Sequence, residues 1–156
     1  MTEPEDRRLD LAAGAFRILD WPGPQPTVIF LHGLSGMADV WRATVEAFGD
    51  ARPHCVALDQ RGHGQSPRPA SGYAVARYAQ DATELIGSVG EGRVHLVGHS
   101  MGARVALVLA ARFPELLLSV AILDIGPEQW QANIDGSIAA FDRMPKRFET
   151  RADAVG

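Results

Sequence analysis

Apolar residues dominate four short runs, and this pattern predicts four buried β-strands. The runs cover residues 27–31, 55–58, 93–97 and 117–123. Runs rich in β-branched residues, without alternation between apolar and polar positions, are typical of strands buried on both faces of a parallel sheet. Two earlier stretches, 9–11 and 16–19, flank Ala13 and Gly14 and predict a hairpin before the first run.

Between these runs, apolar residues recur at helical spacing and predict three helices, over residues 39–48, 73–89 and 101–113. In the first helix, the predicted apolar side consists of Val40, Ala43, Ala47 and Phe48. In the second helix, the predicted apolar positions are Val75, Tyr78, Ala82, Leu85, Ile86 and Val89. The third helix is apolar on nearly all sides, which predicts deep packing, and Pro114 ends it.

This alternation of strands and helices predicts an α/β fold, in which helices cover both faces of a mainly parallel sheet. Functional residues in such sheets gather at the carboxyl ends of the strands. His32, Asp59, Ser100 and Asp124 each come directly after a predicted strand. We therefore expect these four side chains to share one edge of the sheet.

Composition narrows the classes of function. The chain has 156 residues, of which 46% are hydrophobic and 22% charged, and this is enough for one domain with a real core. The net charge of −4 argues against a nucleic-acid partner. The first ten residues lack the apolar segment of a signal peptide, and no apolar run reaches membrane-spanning length. These features predict a cytoplasmic protein without a membrane partner.

The cysteine and histidine residues do not indicate a disulfide or a metal site. Cys55 is the single cysteine and lies in an apolar run, which predicts a buried thiol. The five histidines, at positions 32, 54, 63, 95 and 99, have none of the familiar zinc-ligand spacings. We therefore expect no metal and no cofactor.

The strongest chemical motif is Gly98-His99-Ser100-Met101-Gly102, which lies between a predicted strand and a predicted helix. In that setting, Gly-x-Ser-x-Gly predicts a nucleophile elbow, a strained turn that exposes the serine oxygen above the start of the helix. The glycines would avoid clashes at this turn, and the free N–H groups at the helix start favour negative charge there. The alternative interpretation is a serine that only caps the helix.

Three segments together resemble the serine-nucleophile, esterase-like and lipase-like branch of the α/β-hydrolase family. They are His32-Gly33-Leu34, the loop from Asp59 to Ser66, and the Gly98–Gly102 motif. The resemblance extends over about residues 9–127, and residues 128–156 are similar to the start of the family's lid insertion. It implies a hydrolase core over 1–127 and an incomplete lid over 128–156.

The resemblance implies roles for individual residues. Ser100 is the nucleophile, and the backbone N–H groups of Met101 and Leu34 are the oxyanion donors. His32 and Gly33 are expected to contact substrate. Asp124 is either the acid of a catalytic triad or a carboxylate that braces its loop or caps the next helix.

The loop that contains His63 is expected to be architectural, with Asp59 and Arg61 bonded to the backbone or to each other. His63 precedes Ser100, whereas the family's order is serine, then acid, then histidine. This order disfavours His63 as the base. His54 and His95 are expected to be structural, and His99 is expected to point away from the serine and pack.

No histidine follows Ser100, although the family's base lies near the C-terminus. Apolar residues at helical spacing in the tail (Trp130, Ile134, Ile138, Phe141 and Met144) predict a lid helix that Pro145 ends, and Thr150 and Asp153 suit the start of another helix. We therefore expect the N-terminal part of a longer protein, truncated after the sixth strand and the start of the lid. Strand 117–123 would then be an unpaired apolar edge that promotes self-association.

These observations favour a serine hydrolase that acts on a small carboxylic ester or lactone through an acyl-enzyme on Ser100. Family members with an aspartate nucleophile, such as epoxide hydrolases and haloalkane dehalogenases, are disfavoured because the elbow residue is a serine. The missing histidine motivates the alternative of a non-catalytic fragment, or of a pseudoenzyme or ligand-binding relative that needs a complementary chain.

Overall fold

The computed structural model describes residues 3–125, which contain six strands and three α-helices. The strands are β1 Glu5–Leu11, β2 Gly14–Trp21, β3 Val28–Leu31, β4 Cys55–Leu58, β5 Val94–His99 and β6 Leu117–Leu123. The helices are α1 Arg42–Glu46, α2 Val75–Val89 and α3 Met101–Arg112, and 3₁₀ turns cover Ala38–Trp41, Gly49–Ala51 and Pro114–Leu116. The described residues belong to one compact unit. The expected lid helix and the helix start at Thr150 lie outside the described residues.

The six strands form one sheet in the order β1-β2-β4-β3-β5-β6. The pairs β1–β2 and β2–β4 are antiparallel, whereas β4, β3, β5 and β6 run parallel to their neighbours. The predicted hairpin is present, with longer strands than expected, and Gly14 has a φ of +121° where the chain reverses. The predicted α/β fold with a mainly parallel sheet is confirmed.

Helices pack on both faces of the sheet and create two apolar cores. Helices α2 and α3 cover one face, where Ile29, Leu31 and Leu96 meet Leu85 and other residues of the helices. The 3₁₀ turn and α1 cover the opposite face. There Trp41, Val45 and Ala38 pack against Phe30, Trp21 and neighbouring strand residues. Cys55 lies in this second core with no exposed surface, as predicted, and burial raises the pKa of its thiol to about 11.

The prediction for the first helix was wrong in shape and in orientation. Instead of one helix over 39–48, a 3₁₀ turn precedes the short helix α1. The residues expected on its apolar side are all exposed, namely Val40, Ala43, Ala47 and Phe48. A 3₁₀ helix has three residues per turn, whereas an α-helix has 3.6, so the 3₁₀ turn changes which side chains face the sheet. A hydrogen bond of 2.6 Å from the Ala38 N–H to Asp59 Oδ1 anchors the start of the turn.

Strand β6 was expected to be buried, and this was also wrong. Only Leu117 among its seven residues is buried, and Leu118 and Leu123 are 41% and 42% exposed. In β5, buried and half-buried residues alternate. Within the described residues β6 has a neighbour on one side only, so its side chains have fewer atoms to pack against than those of β3 and β4, which are fully buried.

A buried arginine connects the hairpin to the loops at the carboxyl edge of the sheet. Arg17 donates to Asp6 at 2.8 Å and to Asp39 at 2.6 Å, and lies 3.4 Å from Asp59. The guanidinium holds the pKa values of the Asp6 and Asp39 carboxyls below their usual range. Its own pKa is raised, chiefly by the hydrogen bond to Asp6. The side chain of Arg17 is 6% exposed, so these carboxylates compensate a charge that water does not reach.

Candidate active site

Ser100 occupies the turn between β5 and α3 in a conformation that L-residues rarely adopt, with φ 49° and ψ −110°. Neighbouring backbone groups hold it there. The Ser100 N–H donates to the Leu123 carbonyl on β6 at 2.9 Å, and the Ser100 carbonyl accepts from the Ala103 N–H at 3.0 Å. A strained residue persists only where its surroundings fix it, and such residues concentrate at functional sites.

The two flanking glycines are required by close backbone packing. A Cβ atom on Gly98 would overlap the backbone of Gly102, and one on Gly102 would overlap the carbonyl of Leu31 at the end of β3. The first turn of α3 therefore lies directly against the end of β5 at Gly98 and against β3 at Gly102, at distances that a side chain at the respective glycine would prevent. This is the packing that the Gly-x-Ser-x-Gly pattern predicts for a sharp turn from strand to helix.

The loop after β3 lies against the serine. A Cβ atom on Gly33 would come within 3.2 Å of the Ser100 Cβ and 2.8 Å of the His99 Nδ1. The loop turns at once, because the Gly36 N–H donates to the Gly33 carbonyl at 3.0 Å and Ser35 has a φ of 64°. Leu34 lies at the tip of this turn with its side chain 54% exposed. Within residues 3–125, the N–H groups of Leu34 and Met101 donate to no protein acceptor.

His32 lies beneath this loop rather than at its surface. Its ring has no exposed area, and both nitrogens are engaged: Nε2 accepts from the Gln60 N–H at 3.0 Å, and Nδ1 donates to the Gly33 carbonyl at 2.8 Å. These partners define the neutral tautomer with the proton on Nδ1. Burial lowers the pKa of His32 to about 4. The structure thus leaves the ring no free nitrogen for the substrate contact expected from sequence, and the ring instead joins the loops after β3 and β4.

Asp124 follows β6 in the left-handed region, with a φ of 62°. Because His99 on β5 is in register with Leu123 on β6, Asp124 lies across from Ser100 at the carboxyl edge of the sheet. Its carboxylate is 79% exposed and is 3.4 Å from His99 Nε2. The contact also corrects the expectation for His99, whose side chain is 44% exposed rather than packed. No histidine among residues 3–125 hydrogen-bonds the Ser100 hydroxyl.

The loop from Asp59 to Ser66 has the architectural contacts that were expected. The Asp59 carboxylate accepts from the Gln65 N–H at 2.9 Å, besides its bond to the loop before α1. Arg61 pairs with the buried Asp81 on α2, at 2.5 and 2.6 Å, and not with Asp59. His63 donates from Nδ1 to the Arg61 carbonyl at 2.9 Å, and its ring packs edge-on against His32. Sequence spacing alone did not reveal Asp81 as the partner of Arg61.

The two remaining histidines are structural, as expected. The His54 Nε2 atom lies 2.9 Å from the buried Asp20 carboxylate, and its Nδ1 lies 2.8 Å from the Thr27 hydroxyl. His95 forms a 2.7 Å hydrogen bond with the Ser119 hydroxyl on β6. The described part of the chain contains no group of three or more potential metal ligands. None of its helices is long and apolar enough to cross a membrane.

A cavity of about 520 Å³ opens beside the loop after β3 and the first turn of α3. Its walls come from four segments, and the lining residues are Leu34, Gly62, His63, Arg68, Tyr73, Val75, Tyr78, Met101, Arg104 and Val105. The cavity therefore borders Leu34 and Met101, whose N–H groups have no protein acceptor within residues 3–125. Sequence analysis did not single out Arg104, because a single arginine near the start of a mostly apolar helix forms no recognisable motif.

Comparisons with known proteins agree with this geometry. A model of the α/β hydrolase fold matches residues 26–156. The chain is 36% identical over 143 residues to 2-(acetamidomethylene)succinate hydrolase from Mesorhizobium japonicum, an alignment covering 92% of this chain and 51% of the relative. It is 34% identical over 151 residues to epoxide hydrolase A from Mycobacterium tuberculosis, covering 95% and 47% respectively.

Among solved structures, that of E-2-(acetamidomethylene)succinate hydrolase superimposes with a TM-score of 0.86 at 33% identity, covering 94% of this chain and 54% of that one. The fold, the strained serine and the matching family model together place the chain in a single class. The chain belongs to the α/β-hydrolase fold family. It spans about half the length of the curated relatives described here.

Proposed function

We propose that the chain carries the nucleophile of a serine hydrolase that acts on a small carboxylic ester or lactone. The observation that supports this most strongly is the strained Ser100 at the end of β5, held between two glycines that admit no side chain. A serine that only capped α3 would need neither the left-handed conformation nor the close contact with the loop after β3. Its side chain makes no capping hydrogen bond to the helix.

In the proposed reaction, the Ser100 Oγ forms a bond to the carbonyl carbon, and the carbonyl electron pair moves onto oxygen. The N–H groups of Met101 and Leu34 are proposed to donate to this oxyanion, because each lies beside the serine and lacks a protein acceptor within residues 3–125. The intermediate then expels the alcohol and leaves an ester on Ser100. Attack by water on that ester releases the acid and regenerates the serine.

The base must take the Ser100 proton and return it to the leaving oxygen. No histidine follows Ser100 in the 156 residues, so we propose a histidine outside this stretch of sequence or from a complementary chain. Asp124 is the proposed acid that orients it. Its carboxylate is exposed, lies across the sheet edge from Ser100, and already faces an imidazole, that of His99. The alternative role, bracing its own loop, predicts no effect of Asp124 on the rate of acylation.

The relatives leave the substrate open, since one is named for a succinate derivative and another for epoxides. Serine at the elbow favours acyl transfer over epoxide opening, which the family performs with an aspartate nucleophile. A second candidate function, ligand binding without turnover, is favoured by the absence of a histidine on the Ser100 hydroxyl within residues 3–125. Binding of an ester without release of its alcohol would distinguish this candidate.

A fluorophosphonate probe followed by peptide mass spectrometry tests the proposal. We expect an adduct on Ser100 that is absent in Ser100→Ala. The matched control is Ser119→Ala, because Ser119 has a histidine hydrogen bond but lies in a regular strand. If the elbow creates the reactivity, Ser119→Ala leaves labelling unchanged. Labelling of Ser119, or none of Ser100 even with added imidazole as a replacement base, would contradict the proposal.

A further inference from the structure

Arg104 lies in the first turn of α3, four residues after Ser100, and is half-buried. Within residues 3–125 its guanidinium has no hydrogen bond or ion pair. The first turn of α3 also contains no acidic residue. A cation at a helix N-terminus is repelled by the helix dipole, and burial removes part of its hydration. An anion in contact with Arg104 would offset both costs.

The cavity that Arg104 lines is cationic, although the chain as a whole has a net charge of −4. Two arginines and one histidine line it, and no aspartate or glutamate is among its lining residues within 3–125. Arg68 is the second arginine, and it is held by the Gly62 and Gly64 carbonyls at 3.2 and 3.0 Å. Arg104 is therefore the cation in this cavity that has no protein acceptor among the described residues.

The same cavity borders the proposed oxyanion donors, Leu34 and Met101. Met101, Arg104 and Val105 line it together because residues three and four apart share one face of a helix. Four residues along a helix correspond to a rise of about 6 Å. A ligand with its carbonyl at Ser100 would thus place a carboxylate two or three carbon atoms further on within reach of the guanidinium.

We propose that Arg104 binds a carboxylate of the substrate, so that the preferred esters or lactones carry an acid group near the scissile carbonyl. The identity of the reacting carbonyl rests on the proposed function, whereas anion binding at Arg104 rests on the cavity itself. Arginine suits this role because its planar fork of donors matches a carboxylate and stays charged at all working pH values. Arg104 is thus a specificity-determining residue.

Binding to Ser100→Ala protein tests the site without requiring turnover. The probes are monomethyl succinate and methyl butyrate, an acid and a neutral ester of similar size, measured by calorimetry. We expect monomethyl succinate to bind at least 10-fold more tightly than methyl butyrate. Adding Arg104→Gln should weaken monomethyl succinate binding about 10- to 100-fold, the loss of a charge-assisted hydrogen bond, and leave methyl butyrate unchanged. Arg104→Lys should recover part of the affinity.

The control is Arg112→Gln, at the exposed C-terminal end of the same helix, which removes the same charge outside this cavity. It should change binding of either probe less than 2-fold. Equal affinity for the two probes, or equal losses in the Arg104 and Arg112 variants, would overturn the proposal. If carboxylate binding follows Arg104 while Ser100 resists the fluorophosphonate, the binding site stands and the serine hydrolase proposal fails.

Discussion

Protonation of His32 provides a quantitative test of the loop structure that supports the site. The pKa of His32 is lowered to about 4, chiefly by burial, against an ordinary value near 6.5. The unfolded chain therefore binds this proton first as the pH falls. Stability contributed by the neutral ring is fully present above about pH 6.5 and decreases as the pH falls towards 4. With these two pKa values, the contribution of His32 to the free energy of unfolding is about 2.5 kcal/mol smaller at pH 4.5 than above pH 6.5.

Burial of the ring is the main cause. The Gln60 N–H also donates to Nε2, and a protonated Nε2 could not accept that hydrogen bond. We propose urea unfolding of the wild type and of His32→Gln at pH 7, 6, 5 and 4.5. The variant should be less stable at pH 7, and the difference in unfolding free energy should shrink by about 2 kcal/mol at pH 4.5. Ser88→Ala, which removes an exposed hydroxyl and no titratable group, is the control that should run parallel to wild type. Parallel curves for His32→Gln would refute the reasoning.

Three further predictions concern packing, buried charge and association. Gly102→Ala should lower the free energy of unfolding by about 2–3 kcal/mol, because the new Cβ overlaps a β3 carbonyl. Gly87→Ala, which has open space on α2, should raise it by up to about 1 kcal/mol. Thermal or urea unfolding measures both. Arg17→Met should cost about 3–5 kcal/mol because it leaves the buried Asp59 carboxylate without its cation and removes the ion pairs with Asp6 and Asp39. Arg7→Met, at a half-exposed ion pair, should cost less than about 1 kcal/mol. We propose that the exposed strand β6 promotes self-association, so Leu118→Lys should lower the sedimentation coefficient at high concentration. An unchanged sedimentation coefficient would contradict the prediction for β6. Equal changes in unfolding free energy for the two glycine variants, or for the two arginine variants, would contradict the other two predictions.

Patterns that are local in sequence determined most of the architecture. Uninterrupted apolar runs identified β3 and β4, because strands in the middle of a parallel sheet are buried on both faces. Helical spacing identified α2 and α3 to within two residues at each end. The sharp turn at Ser100 was also predictable, since Gly98 and Gly102 are required by contacts within one strand–turn–helix unit and with the adjacent β3.

Contacts between distant segments decided what these patterns did not show. The buried side of the 3₁₀ turn and α1 depends on Phe30 and on the hydrogen bond from Ala38 to Asp59, so helical periodicity alone chose the wrong residues. The exposure of β6 depends on its position at the edge of the described sheet, which its apolar composition does not encode.

The features of the candidate site also divide into those that the sequence predicts and those that depend on tertiary contacts. The sequence by itself determined that Ser100 follows a strand and precedes a helix, because the turn is built from neighbouring residues. Only the tertiary structure decided that His32 is neutral and buried and that Asp124 lies across from Ser100. It also decided that Arg104 lines a cavity where the described lining residues include no acid. The burial, pKa and partners of a side chain depend on segments that are distant in sequence, and folding alone brings these together.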